Sequence, residues 1–475
     1  MKTDVYDAVV IGSGPNGLSA AITLARRGLS TLVLEADGTA GGGARSAALT
    51  LPGFVHDMCS AVHPMALASP FFKTLPLADH GLTWITPDVA CAHPLDRDDV
   101  GILTRSVAET AALLGTADGR AYRSLIGGIV DRWGKLEQDI LAPVGFPSAP
   151  LSFASFGLHA LMPASTLARW RFKSEKARAL FAGMAGHSIL PLEQPGSAAI
   201  GLVLAAVGHV YGWPVPKGGA QAITNALASY LVSLGGEIRT GVRVESVDEL
   251  PRCRVALFDT SPRALARIAG ARLSSAQRSA LERFRYGPGV FKVDWALAGP
   301  IPWTAKGCRS AGTVHVGGLL PEISASERMA WTGEHSERPF VLVTQPSVMD
   351  PSRAPANQHT AWGYCHVPAG STVDMTRQIE AQVERFAPGF RELIMARAVR
   401  DPRMFQEHNA NHVGGDIGGG ANDLRQVVLR PSWRRYRSGA RRIYLCSAST
   451  PPGGGVHGMC GYHAATWALR DEFDA

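Results

Sequence analysis

Residues 7–35 constrain this chain more than any other stretch. Asp7-Ala8-Val9-Val10-Ile11 is a short apolar run, the pattern of a strand buried on both faces of a parallel sheet. It leads directly into Gly12-Ser13-Gly14-Pro15-Asn16-Gly17, a GxGxxG loop. Leu18, Ala21, Ile22 and Ala25 then recur at helical spacing until Gly28 stops the helix. A second strand, Thr31-Leu32-Val33-Leu34, ends in Glu35, with Ala36 after it. Each part has a mechanical task. The glycines let backbone N–H groups and a helix N-terminus reach a pyrophosphate, and the acidic residue accepts a hydrogen bond from a ribose hydroxyl. Strand, loop, helix, strand and Glu in this order predict a βαβ unit that binds a dinucleotide.

That unit does not separate a nicotinamide from a flavin dinucleotide. Gly41-Gly42-Gly43-Ala44-Arg45 does, by adding a second flexible backbone stretch and a cation close to the same phosphates. A plain solvent loop is the alternative, and three glycines followed by arginine fit it poorly. A nicotinamide cofactor that leaves at every turnover rarely recruits so many segments, whereas a permanently buried flavin does.

Composition sets the frame around this unit. A chain of 475 residues predicts two or three domains, and 46% hydrophobic against 18% charged residues excludes disorder. The net charge of +7 is mostly dispersed arginine, which argues against nucleic acid. Seven scattered cysteines, with no CxxC pair and no zinc spacing, fit a reduced, cytoplasmic compartment and no metal site. The chain turns strand-like by Tyr6 with no leading apolar run, so no secretory signal is expected. The apolar stretch 195–214 is glycine-broken and carries His209, which predicts a buried helix or the lining of an apolar site rather than a membrane span.

Two later segments return to the first architecture. Pro216-Lys217-Gly218-Gly219-Ala220 leads into a helix carrying Ile223, Ala226, Leu227, Tyr230 and Leu231, closed by Gly235-Gly236, and a strand is expected through Val242, Val244 and Val247. Near the end, a strand over 442–446 precedes Pro451-Pro452-Gly453-Gly454-Gly455-Val456 and a last helix. With these residues on the page, the chain resembles the phytoene-desaturase-related branch of the flavin amine oxidase superfamily. The resemblance rests on Gly12, Gly14 and Gly17, on Glu35, on the Gly41–Arg45 stretch, on Pro52-Gly53-Phe54, on Pro216-Lys217-Gly218-Gly219 and on Pro452-Gly453-Gly454-Gly455-Val456.

The resemblance implies bound FAD and an α/β fold in two parts. A discontinuous Rossmann-type FAD-binding domain is expected over 1–75, 205–262 and 425–475. An α+β substrate domain on an antiparallel sheet is expected over 76–204 and 263–424. The stretch 76–204 reads as mainly helical, and 290–297, 312–316, 340–345 and 360–367 read as strands of one sheet. Cofactor contacts are expected from Gly12, Ser13, Gly14, Pro15, Asn16, Gly17, Glu35, Ala36, Gly42, Gly43, Ala44, Arg45, Val244, Gly455 and Val456.

Three side chains are candidates for chemistry. Lys292 lies among apolar residues, and in amine oxidases a similar lysine holds a water against the flavin N5. The other reading is an outward lysine paired with Asp294. His63 follows His56 and Asp57 in a stretch that passes the flavin in the family, and its ordinary pKa suits acid–base work. His457 stands where an acid often follows. Gly455 replaces an aromatic wall of the amine-oxidase cage, so the space over the ring is expected to be open, which disfavours a small amine. The polar loop 408–416 is a further candidate lining.

Two departures from the family pattern stand out. Ser447-Ala448-Ser449-Thr450 occupies the place of the usual acid near the last glycine loop. Asp248 to Arg254 replaces an extended hairpin. HExxH and GxSxG are absent, which excludes the corresponding hydrolases.

Basic residues interleave with apolar ones at Arg169, Arg171, Lys173, Lys176 and Arg178, and cluster again over 434–442. Either set is a solvated surface or a face on anionic lipid. The expected function is an FAD-dependent dehydrogenase of an apolar molecule, with hydride passing to flavin N5 and then to oxygen or a quinone. The alternatives are a non-redox double-bond isomerase, an amine oxidase, or a non-catalytic flavin- or lipid-binding scaffold.

Overall fold

Alternate residues of the first strand face opposite ways, and both ways are buried. In the computed structural model, which describes residues 5–474, Ala8 and Val10 join one apolar core while Val9 and Ile11 join another. An uninterrupted apolar run is what a strand with two covered faces requires. Val5–Ile11 sits at the centre of a five-stranded, wholly parallel sheet. The order is Ile443–Leu445, Arg252–Phe258, Val5–Ile11, Thr31–Leu34 and Glu237–Arg239. Parallel neighbours need long crossovers, so three distant stretches of chain meet here. The helix Pro15–Ala25 packs between the final helix, Met459–Glu472, and the helix Gln221–Ser233.

A second sheet has seven strands in the order Ile394–Arg400, Gly289–Leu297, His359–Val367, Val341–Thr344, Ala311–Val316, Val89–Pro94 and Val100–Thr104. Neighbours are antiparallel except Ala311–Val316 beside Val89–Pro94. Trp295, Leu297, Val316 and Val343 bury one face of it against Ile379 and Val383 of the helix Thr376–Phe386. The four expected strands all lie in this sheet.

Of three expectations about single stretches, two hold and one fails. The stretch 76–204 is mainly helical, as expected, but Val89–Pro94 and Val100–Thr104 within it complete the second sheet; short apolar runs of this kind suit either state until a partner edge is present. The strand after Gly236 is Glu237–Arg239 and stops there. Gly241 and Val242 donate to the carbonyls of Asp37 and Glu35, so Val242 and Val244 run beside the cofactor loop instead of extending a strand. In place of an extended hairpin, as expected, a 3₁₀ turn, Val247–Glu249, leads straight into Arg252–Phe258, a strand of the parallel sheet.

The apolar stretch near 200 forms the helix Ala198–Val210, largely buried. No single helix among the described residues is long and apolar enough to cross a membrane.

Candidate functional site

A continuous cavity of about 1190 Å³ begins at the C-terminal ends of the parallel strands and reaches the face of the second sheet. Its lining runs from Ile11–Asn16 and Leu34–Gly38 to Val290, Lys292, Trp362 and Tyr364. Every residue expected to contact the cofactor lines it, except Gly17.

The first end is built for phosphates. Pro15 opens its helix with no side chain capping the N-terminal N–H groups, which leaves them for a ligand. Gly42 crosses this loop so closely that a Cβ there would stand 3.0 Å from the Gly14 Cα. The two glycine stretches therefore form one cradle. Glu35 is held in place by its own neighbours: one carboxylate oxygen accepts from Ser13 N at 2.9 Å and Ser13 Oγ at 2.5 Å, the other from Asp37 N at 2.9 Å. Arg45 is buried, donates to Gly42 O at 2.8 Å and pairs with Asp37. Its guanidinium holds the Asp37 carboxyl below the usual range. An uncapped helix start, a glycine cradle, a fixed carboxylate and a buried arginine fit the phosphate and ribose groups of a dinucleotide.

Gly17 has a different job. A Cβ there would stand 2.1 Å from Gly12 O, so only glycine closes the loop onto the helix. Its N–H donates to Asp259 at 2.9 Å rather than facing the cavity.

Lys292 points inward, and it is also paired with Asp294. The ammonium is 1% exposed, donates to Asp294 Oδ1 at 2.5 Å and Asp57 O at 2.9 Å, and lies 5.2 Å from the centre of the Trp362 ring. Residues two apart on one strand share a face, which puts both charges under the cavity. Burial lowers the pKa of Lys292, against the pull of Asp294. Burial also opposes ionisation of Asp294, but Lys292 and His56 outweigh it and hold that carboxyl low. His56 Nδ1 lies 3.6 Å from the same oxygen. Asp57 is tied to the wholly buried Arg353 at 2.7 Å.

His63 lines the cavity with Nε2 unpartnered, and burial pushes its pKa down to about 4, so the ring is neutral near neutrality. His457 also lines the cavity, but its Nδ1 accepts from Met459 N at 3.0 Å and so supports the start of the last helix. The space beside Gly455 is not open: a Cβ there would stand 2.8 Å from Cδ2 of His457. An imidazole from two residues on packs against this glycine.

The loop near 408 lines the cavity through His408 to His412. Within it, Asn411 accepts from Ser261 N at 2.8 Å and donates to Asp259 O at 3.0 Å. The hydroxyls of Ser449 and Thr450 donate to Gly419 O and Ser447 O, so they satisfy the chain itself.

Several site residues escaped the sequence. Asp259 follows the strand Arg252–Phe258 and is buried against the glycine loop, where burial raises its pKa to about 7 although Gly17 N–H opposes it. His187 lines the cavity with Nε2 2.9 Å from His315 Nε2, and burial lowers the pKa of His187 to about 3. Trp362 stacks on Tyr364 with ring centres 5.7 Å apart, and both line the cavity. An available signal for Asp259 was its place at the end of an apolar run. The others carry none, because their partners are distant in sequence.

Comparisons with known proteins agree with this geometry. A family described as FAD dependent oxidoreductase matches residues 7–271. The mouse protein named pyridine nucleotide-disulfide oxidoreductase domain-containing protein 2 is 27% identical over 98% of this chain and 94% of its own. The neurosporene-forming phytoene desaturase of Rhodobacter capsulatus is 27% identical over 51% of each chain. Among solved structures, an oxidoreductase from Methanosarcina mazei aligns with a TM-score of 0.66 and 15% identity, covering 98% of this chain and 100% of the other. Wild-type putrescine oxidase bound to putrescine aligns with a TM-score of 0.61 and 17% identity, covering 98% and 99%. At such identities these structures speak for the fold alone. Family match, cradle and fold agree: this chain belongs to the FAD-dependent oxidoreductases, with the fold of the flavin amine oxidases.

Proposed function

We propose that this enzyme dehydrogenates a largely apolar molecule, such as a polyene, a lipid or a polyketide-like chain. The observation that carries this reading is the far part of the cavity, walled by Phe153, Phe156, Ile200, Val203, Leu204 and Leu424. Such walls hold an apolar chain by burying it, and they keep water from the reacting carbon. FAD held by the glycine cradle, Glu35 and Arg45 would supply the hydride acceptor, with oxygen or a quinone as the final electron acceptor. Lys292 has three N–H donors, and the chain uses two of them. We assign the third to the oxygen of a water in the cavity, with Asp294 holding the ammonium in place. His63, neutral and with a free Nε2, is the acceptor available for a substrate proton.

The cavity mouth supports entry from a membrane surface. Val144 and Phe146 line the cavity and are also exposed, Phe146 at 91%. Leu151, Leu158 and Trp170 on two helices, Pro150–Ala160 and Ala164–Arg171, and Leu161 between them are further exposed apolar residues. Exposed apolar residues interleaved with Arg169 and Arg171 suit a lipid surface. The second basic cluster is less free, because Arg437 pairs with Asp471 and Arg442 with Glu472.

The test is anaerobic. The flavin absorbance band of the holoenzyme is followed while apolar extract, and separately a panel of amines, is added. Bleaching by the extract alone supports the proposal. Bleaching by amines alone, or by neither, rejects it.

A further inference from the structure

Arg430 is 2% exposed, and among the described residues no carboxylate forms an ion pair with it. Its Nε has no partner. Nη2 donates to Gly420 O at 3.1 Å and Nη1 to Asn422 Oδ1 at 3.4 Å, both neutral acceptors. The nearby acids are engaged elsewhere. Asp416 accepts from the N–H groups of Gly287 and Gly418, each at 2.7 Å, and Asp423 pairs with Arg285 at 2.6 Å. A buried guanidinium without a counter-ion is costly, and burial depresses its pKa. A chain that keeps such a group in a cavity wall has an anion for it.

The position says which anion. Arg430 lines the same cavity as Gly453, Gly454 and Gly455, and Nη1 sits so close to Gly453 that a Cβ there would be 2.6 Å away. That loop leads into the final helix, whose first N–H, that of Met459, is taken by His457 Nδ1 at 3.0 Å. The guanidinium is therefore the positive charge that stands against this glycine loop. The phosphates have their own cradle at Gly12–Gly14, Gly42 and Arg45. Apart from the phosphates, the part of the cofactor that can carry a negative charge is its ring, which is neutral when oxidised. When a substrate C–H bond breaks and hydride passes to N5, the second hydrogen leaves the substrate as a proton and the ring keeps one negative charge.

We propose that Arg430 is the electrostatic partner of the reduced flavin ring, retaining its own proton and stabilising the negative charge that hydride transfer leaves there. It acts on the redox balance of the cofactor and takes no part in proton transfer.

Three measurements on the holoenzyme test this. In the wild type, reduction takes up one proton per two electrons between about pH 6 and pH 8, and uptake of two would overturn the proposal. This first measurement needs no variant to fold. Sulfite adds at N5 and leaves the same charge on the ring. Arg430→Met weakens sulfite binding at least tenfold and lowers the two-electron reduction potential by about 30 mV or more, while Arg430→Lys stays within about threefold of wild type. Unchanged sulfite affinity and potential in Arg430→Met would overturn it. Decanoate, titrated against the flavin spectrum, separates the remaining source of an anion. If Arg430→Met abolishes the decanoate response and leaves the potential unchanged, the arginine serves a substrate carboxylate and the proposal fails.

Discussion

The carboxyl of Asp259 accepts the backbone N–H of Gly17 at 2.9 Å, so the last glycine of the nucleotide loop is bonded to the chain itself. Burial raises this carboxyl to about 7, with the Glu35 charge acting in the same direction and the Gly17 bond against it. In the unfolded chain it ionises near 3.8. Between those values the unfolded state binds fewer protons, so this group's contribution falls as pH rises from about 4 to about 7 and is flat above.

Asp259→Asn keeps an acceptor for Gly17 and cannot ionise. Relative to wild type it is expected to be near neutral at about pH 4 and stabilising by about 2–4 kcal/mol at pH 8. Denaturant titrations at the two pH values check this. An equal shift at both would show that the carboxyl does not titrate in this range.

Gly17→Ala places a methyl 2.1 Å from the carbonyl oxygen of Gly12, against backbone that cannot yield without opening the loop. The expected product is soluble protein with less than about a tenth of the wild-type flavin, or insoluble protein. The ratio of flavin to protein absorbance after gel filtration measures it. A full flavin complement with wild-type thermal stability would contradict the packing described.

Lys292→Met removes the buried ammonium and leaves Asp294 without its nearest cation. Loss of a positioned proton-handling group costs about 10²–10⁴-fold in rate. Flavin content is expected to persist while turnover falls by at least 10²-fold. Asp294→Asn is expected to fall less, because the lysine keeps its bond to Asp57 O. Stopped-flow reduction and reoxidation, followed separately, assign the loss to one half of the cycle. Unimpaired rates in both halves would remove Lys292 from the chemistry.

Phe146→Ser combined with Leu151→Ser removes two strongly exposed apolar side chains, one at the cavity mouth and one on the helix Pro150–Ala160. Co-sedimentation with vesicles containing anionic lipid is expected to drop at least fivefold, with the flavin spectrum unchanged. Salt should weaken wild-type binding, through screening of Arg169 and Arg171. Vesicle binding equal in wild type and variant would dissociate this patch from any membrane role.

The nucleotide-binding half of the protein was legible in the sequence because its signals are local. Strand, glycine loop, helix and Glu35 are consecutive, and each residue's task follows from backbone geometry that the neighbouring residues impose. The four strands between 289 and 367 were legible for the same reason, as short apolar runs bounded by turns. Val89–Pro94 and Val100–Thr104 were not, since a short apolar run becomes a strand only when a partner edge stands beside it, here Ala311–Val316.

The orientation of Lys292 depended on tertiary structure. Its own strand supplied Asp294, but the carbonyl of Asp57 and the burial that decides its charge come from chain far away. Arg430 is the extreme case: nothing around it in sequence distinguishes it from the other arginines nearby. By itself the sequence determined where a dinucleotide binds, through contacts between near neighbours. Only the tertiary structure decided which charges lie buried and unpaired in the cavity wall, because burial and pairing are properties of residues brought together from across the chain.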